Sequence, residues 1–511
     1  MLAQINTIGL TGIDGYTVRV QVDISNGMPA MEVIGLPDTA IKEAKERAKT
    51  AIKNSGRSFP SKHITVNLAP ASTKKEGSSY DFPISVAILV ASRQIVIPDS
   101  DISIFIGELS LDGKVTPVNG VLPMVISAYK SGFRKMYVPV ENADEAAVID
   151  GVEVYPVRSI ADLIKHFDGD DYIDCHDVDV ENIFKEPDST LFDFSDVKGQ
   201  ETVKRALEIA AAGNHNILLI GSPGTGKTML AQRMTGILPD MTFEEALDVT
   251  KIHSIAGVLP PGIPLIRKRP FRSPHHTVSA MGLSGGGSVP KPGELSLAHN
   301  GILFLDELPE FKRDVLETLR QPLEDGNVTI SRVNASLTYP CNIMLVASMN
   351  PCKCGYLGDP FHECTCTQAQ VLNYRSRISG PLLDRIDIQV EVSPVNYSQL
   401  SDERKGETSA VIKERVNKTR KIQLERYKGF KNIYSNSQLT AGMLGEFCRL
   451  DSESDAILKS AFDNLGFSAR AHSRILKVAR TIADLAGEEN IKAEHIAEAI
   501  QYRSLDRKYF G

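Results

Sequence analysis

The apolar run Ile217-Leu218-Leu219-Ile220 feeds directly into Gly221-Ser222-Pro223-Gly224-Thr225-Gly226-Lys227-Thr228, a complete G-x-x-x-x-G-K-[ST] element. This order commits the segment to a buried strand, a tight glycine-rich turn and a helix, predicted over Met229 to Thr235. In such a turn the backbone N–H groups face inward and the helix N-terminus favours negative charge, which makes a phosphate cradle. Lys227 is placed to neutralise β- and γ-phosphates and the Thr228 hydroxyl to sit on Mg2+. A second apolar strand, Ile302-Leu303-Phe304-Leu305, ends in Asp306-Glu307. Asp306 supplies the acidic partner for Mg2+, and Glu307 a carboxylate able to orient an attacking water. Both halves in this order predict a nucleotide hydrolase, with ATP as the expected nucleotide.

The remaining sequence narrows the class. A chain of 511 residues accommodates several cores, and its 42% hydrophobic and 24% charged content is that of a water-exposed globular protein. No run of about 18 apolar residues is present, and the N-terminal segment lacks a basic region followed by an apolar one. Neither a membrane span nor a secretory leader is therefore expected, and the expected location is the cytoplasm. Seven cysteines, four of them crowded together, suit a reducing compartment with a metal site better than a disulfide framework. The net charge of −7 argues against a global electrostatic footprint for nucleic acid, so any such contact has to be local.

Patterning divides the chain into 1–166, an acidic linker 167–192, a strand–helix alternating region 193–396 and an all-helical region 397–511. The first region alternates strands (Val18–Val22, His63–Leu68) with helices (Asp38 to Asn54, Phe82 to Ser92), and the third requires a parallel sheet. The expected class is multidomain α/β.

Further polar residues punctuate the third and fourth regions. Asn350 closes the apolar strand Ile343 to Ser348, from which an amide reaches a γ-phosphate or its water. Arg385 lies between a helix and the strand Ile388 to Val392, and its bland alternative is pairing with Asp384 or Asp387. Arg470 and Arg474 offer permanent, forked guanidinium donors suited to phosphate. Cys352-Lys353-Cys354 and Cys364-Thr365-Cys366 bring four thiolates into one short loop, enough for a tetrahedral structural Zn2+. His362 is an alternative ligand, and reduced thiols or a redox pair are the other readings. Lys413 to Lys431 is strongly basic, with either phosphate contacts or a solvated face as its meaning.

The strings RPFRSPHHTVSAMGLSGGGSVPKPGELSLAHNGILFLDELPEF, SGPLLDRIDI and SARAHSRILKVARTIADL resemble the magnesium-chelatase-like AAA+ ATPases, and within them the ComM/YifB family, over essentially the whole chain. The resemblance implies a Lon-protease-like α+β N-terminal domain, an AAA+ parallel-sheet core and a helical lid. It further implies a ring, a hexamer, with ATP at subunit interfaces. Asn350 then corresponds to sensor 1, Arg385 to the arginine finger, and Arg470 to sensor 2 with Arg474 as substitute. Two insertions, Ile252 to His299 with Arg267, Lys268, Arg269, Arg272, His275 and His276, and the hairpin Asn327 to Tyr339 with Arg332 to Asn334 at its tip, fall where related helicases contact nucleic acid. Bracing of a loop by the histidines and ordinary packing of the hairpin are the alternatives. In the Lon-like region Ser79 holds the serine position, but the lysine position is Leu122, so no base activates the hydroxyl.

The resemblance implies an ATP-driven DNA motor promoting branch migration in homologous recombination and natural transformation, on single-stranded or branched DNA. The alternative is a chelatase-type subunit or protein-remodelling ATPase acting on a protein partner. A protease is opposed by Leu122.

Overall fold

The computed structural model describes residues 2–510, except 74, 76, 78, 186–191, 288–289, 333–334, 397–400, 402–405, 431–432 and 466. The chain forms two compact units that do not follow chain order: 1–186 with 243–267, and 187–242 with 268–511.

The first unit begins with a four-stranded sheet ordered Leu2–Thr11, Asp14–Ser25, His63–Ala69, Ala30–Ile34, antiparallel except for the last pair. Its register follows from period-two burial: Val18, Val20 and Val22 are fully buried while Arg19 and Asp23 face outward. The helix Thr39–Asn54 starts at Asp38, whose carboxylate accepts from the N–H of Ile41 at 2.9 Å. The helix Asp81–Ala91 is apolar nearly all round and lies buried on almost every side, as such a helix must. A parallel sheet of Ser103–Phe105, Lys135–Pro139 and Glu153–Val157 follows, with Phe105, Tyr137 and Tyr155 stacked at 4.7 and 5.0 Å between ring centroids.

The Leu122 side chain is fully buried, and its N–H donates to Glu145 at 2.8 Å. Lys75 is buried too, donating to the Pro70 carbonyl, and Asp81 is paired with Arg47. Burial raises the Asp81 carboxyl to about 6 against the pull of Arg47. Glu145 also accepts from Asn142 at 3.2 Å and from the Ser254 hydroxyl. Ser254 belongs to the helix Phe243–Ala256, which is how a segment from the middle of the chain joins this unit. Burial pushes the Glu145 carboxyl above its ordinary range. The acidic segment is more tied down than its composition implies. His176 donates its N–H to Val154 at 2.8 Å and its ring meets Asp144 at 2.7 Å, while Val180–Lys185 is helical.

The second unit is built on a five-stranded, wholly parallel sheet ordered Phe271–Arg272, Ile302–Leu305, Met344–Met349, Ile217–Ile220, Ile388–Glu391. The three central strands are buried along their whole length, the continuous apolar reading required of strands covered on both faces. The helix after the glycine loop starts at Lys227 and ends at Arg233, two residues earlier at each end than the sequence predicts. Asn327–Arg332 pairs with Ala335–Pro340 as a hairpin, while the predicted tip residues Val333 and Asn334 lie outside the described residues. The C-terminal helices Ser409–Arg426, Ala441–Phe447, Ser452–Leu465, Ala469–Ala486 and Ala493–Gln501 share one apolar core with the sheet. Multidomain α/β architecture is the observed class. No described helix is long and apolar enough to cross a membrane.

Asp387 joins sheet and helices. Its carboxylate, 4% exposed, is paired with Arg474 and accepts from the Asn216 N–H at 3.2 Å and the His215 ring at 3.3 Å. Its burial is outweighed by Arg474 and His215, which hold its pKa far below the usual carboxylate range. A depressed folded-state value means a contribution fully present above the unfolded pKa of about 4 and lost as pH falls below it. Asp387→Asn should therefore lower stability by about 3 kcal/mol in urea unfolding at neutral pH. The gap to the parent protein should narrow progressively on acidification.

Candidate functional site: a nucleotide site at the sheet edge

Because all five strands run the same way, the ends of Ile217–Ile220, Ile302–Leu305 and Met344–Met349 deliver their following residues to one edge of the sheet. The loop 221–226 leaves that edge in a conformation only glycine adopts comfortably at Gly224 (φ 79°) and Gly226 (φ 87°). Gly221 is needed for a different reason: a Cβ there would lie 2.4 Å from the Val392 carbonyl oxygen. Thr225 closes the turn by donating its hydroxyl to the Ser222 carbonyl at 2.9 Å.

Lys227 is nearly buried. Its ammonium donates to the carbonyls of Gly221 at 2.7 Å and Ser222 at 2.9 Å, and to the Asn350 side-chain oxygen at 3.2 Å. Burial lowers its pKa, with Asp306 and Glu307 pulling the other way. The Thr228 hydroxyl donates to Asp306 at 2.8 Å. The other Asp306 oxygen accepts from the Ser348 hydroxyl and, at 3.1 Å, from the Glu307 N–H. Glu307 sits at φ 53°, a left-handed conformation that turns its side chain away from the strand line, and its N–H also reaches Ser348 Oγ at 3.2 Å. Thus Lys227, Thr228, Asp306 and Asn350 are brought into one bonded group, with Glu307 attached through its backbone.

Three residues were not singled out from the sequence. Gln200, at φ 58°, donates its amide to the Thr225 carbonyl at 3.0 Å and the Ser393 carbonyl at 3.1 Å, clamping the phosphate loop. Ser348, the one hydroxyl at the end of an otherwise apolar run, was the visible signal for its own role. The Ser222 hydroxyl and the N–H groups of Phe361 and His362, the latter two at 2.9 Å, hold the Asp359 carboxyl down to about 2.

Arg385, Arg470 and Arg474 are all engaged within the chain. Arg385 donates to the carbonyls of Arg320 at 2.8 Å and Pro381 at 2.7 Å and is paired with Glu324, so neither Asp384 nor Asp387 takes it. Those two aspartates hold Arg470, at 3.1 Å and largely exposed, and Arg474, respectively. In the first insertion Arg269 donates to the carbonyls of Pro239 and Asn300, both at 2.7 Å. Arg272 grips Glu294 with two bonds of 2.7 Å. The His275 and His276 rings lie 4.0 Å apart, with His275 on Thr277 at 2.9 Å. In the basic helix Lys413 pairs with Asp240 at 2.6 Å, Arg415 with Glu208 at 2.6 Å, and Arg426 with Asp484 at 2.6 Å.

The four cysteines converge. Cys352, Cys354 and Cys364 sulfurs are separated by 3.4 to 3.7 Å, Cys366 Sγ accepts the Cys354 N–H at 3.3 Å, and all four sulfurs lie within 4.8 Å of one another. A tetrahedron with Zn–S bonds of about 2.3 Å has edges of about 3.8 Å, so the donor set fits zinc. His362 is turned onto Asp359 and the Tyr356 ring and does not join the group.

A parallel sheet carrying a phosphate loop beside an Asp-Glu strand and an Asn-ended strand defines a P-loop nucleotide-binding protein of the AAA+ type. Three family models cover most of the chain: "Magnesium chelatase, subunit ChlI" at 193–400, "Subunit ChlI of Mg-chelatase" at 20–142 and "Magnesium chelatase, subunit ChlI C-terminal" at 406–503. Competence protein ComM of Haemophilus influenzae is 43% identical over 500 residues, covering 97% of this chain and 96% of that protein. The uncharacterized protein YifB of Escherichia coli is 43% identical over 514 residues, covering 99% and 98%. A magnesium-chelatase 38 kDa subunit of Rhodobacter capsulatus is 28% identical over 177 residues, 32% of this chain and 51% of that one. The chain belongs to the ComM/YifB family of magnesium-chelatase-like AAA+ proteins.

Ser348 holds Asp306 and Glu307 in register without standing on the phosphate path. Ser348→Ala should lower ATP turnover by about tenfold or more while ATP affinity, read by calorimetry, stays near that of the parent.

Proposed function

We propose that this chain is an ATP-driven DNA motor, acting as a homo-oligomeric ring in the cytoplasm and promoting branch migration during recombination and the uptake of transforming DNA. The observation that carries the reading is the joint one: a bonded Lys227–Asn350 and Thr228–Asp306 group in a chain alike over nearly its whole length to a competence protein.

The loop 221–226 holds phosphate on its N–H groups, and Lys227 balances the charge developing on the β- and γ-phosphates. Thr228 and Asp306 are the residues that would hold Mg2+, which would supply charge neutralisation at the phosphates. Glu307 takes the proton of the water attacking the γ-phosphorus, and Asn350 positions that water. Arg385 serves the neighbouring subunit's nucleotide, exchanging Glu324 for phosphate, and Arg470 answers from the helical region. The hairpins Gly285–Gly286/Lys291–Pro292 and Asn327–Arg332/Ala335–Pro340 are the elements assigned to DNA. The Lon-like region serves to guide substrate or stabilise the ring, not to cleave peptides. The four thiolates hold a structural Zn2+.

ATP turnover should rise several-fold with single-stranded or forked DNA, be abolished in Lys227→Ala, and accompany migration of a three- or four-stranded junction. Stimulation by a protein partner alone would favour the chelatase-type reading instead. Mixing Arg385→Ala with Lys227→Ala subunits should restore part of the lost turnover. Intact mixed rings without any recovery would remove Arg385 from its role.

A further inference from the structure

We propose that the zinc–thiolate knot of residues 352–366 is the base on which the phosphate loop rests, so that zinc and ATP bind cooperatively; this rests on the nucleotide-site reading above.

One contact joins knot and loop directly. Gly355 packs so closely on Pro223 that a Cβ at position 355 would lie 2.6 Å from the proline Cδ. Its φ of 91° bars most other residues there as well. Asp359, whose side chain is 3% exposed, accepts the N–H groups of Phe361 and His362 at 2.9 Å each and braces the turn within the knot. Pro223 and Ser222 are loop residues, and the Ser222 carbonyl is one of the acceptors that aim Lys227. The third acceptor, Asn350, stands two residues before Cys352, which is fully buried. Between them, the Pro351 carbonyl accepts from Arg375 at 3.1 Å.

The segment from Asn350 to Gly355 is therefore tied to Lys227 at one end and pressed on Pro223 at the other, yet it has little regular structure to hold its own shape: no helix or strand lies between Met349 and Gln368. Its fixed points are the four sulfurs. Zinc takes all four sulfurs as thiolates and fixes their spacing; without it they take up protons and nothing bonds them to one another, so the conformation that supports Pro223 is the metal-bound one. Linkage then runs both ways: whatever zinc adds to ATP affinity, ATP adds to zinc affinity.

The test uses the full-length chain. Metal analysis of reduced protein should give one zinc per chain, and TPEN, which takes zinc and leaves magnesium, should remove it. Calorimetric ATP·Mg2+ affinity should weaken about tenfold in the zinc-free protein and return on adding Zn2+ alone. Competition with a chelating dye should show zinc held tighter with ATP present by the same factor. Gly355→Ala, which keeps all four thiols but drives a methyl group into Pro223, should retain zinc while ATP affinity falls and becomes much less sensitive to zinc removal. Zinc absent from the reduced protein, or ATP affinity unchanged when zinc leaves, would overturn the coupling. Failure of the zinc-loaded protein to bind ATP at all would overturn the nucleotide site with it.

Discussion

The carboxylate of Asp306 is where three neighbouring strands meet chemically. It ends one strand, accepts the hydroxyl of Thr228 from the helix that follows the second, and accepts Ser348 from the third. That convergence depends on the sheet being parallel, because only then do consecutive crossovers return every strand end to one edge. The apolar continuity of the three central strands is therefore a condition for the site as well as for the core. A polar residue inside any of them is conspicuous, and Ser348 is polar because its hydroxyl spans the gap between Asp306 and the Glu307 N–H.

Local features were legible in the sequence. Val18, Val20 and Val22 announce a half-buried strand by their period, and Asp38 announces a helix start. The phosphate loop carries its own conformation in its glycines. Pairings across long separations were not legible. Arg385 with Glu324, and Asp387 with Arg474 and His215, depend on which turns the fold brings together, and nothing in linear spacing encodes that. For the same reason Gln200 passed unnoticed: a glutamine after a glycine says nothing until the loop it clamps lies beside it. The segment 243–267 reads as part of the nucleotide-binding region by position, yet Ser254 and its apolar neighbours find their partners around Glu145 and the helix Val121–Lys130.

A basic stretch is not the same as a free positive surface. The helix Ser409–Arg426 carries a dense set of cations, but Lys413, Arg415 and Arg426 face carboxylates of their own unit. Those groups hold the helix against its neighbours, so the cost of releasing them would come out of the fold. Arg269 and Arg272 are committed in the same way. In a chain of net charge −7, these paired cations are therefore not a ready surface for a polyanion.

The excursion of residues 243–267 also bears on how the chain is made. A polypeptide emerging from the ribosome displays all of residues 1–186 well before the helix Phe243–Ala256 exists, and in that interval the surface meant for Ala246, Val249 and Ile252 has no cover. The first unit completes only after the phosphate loop has already been synthesised.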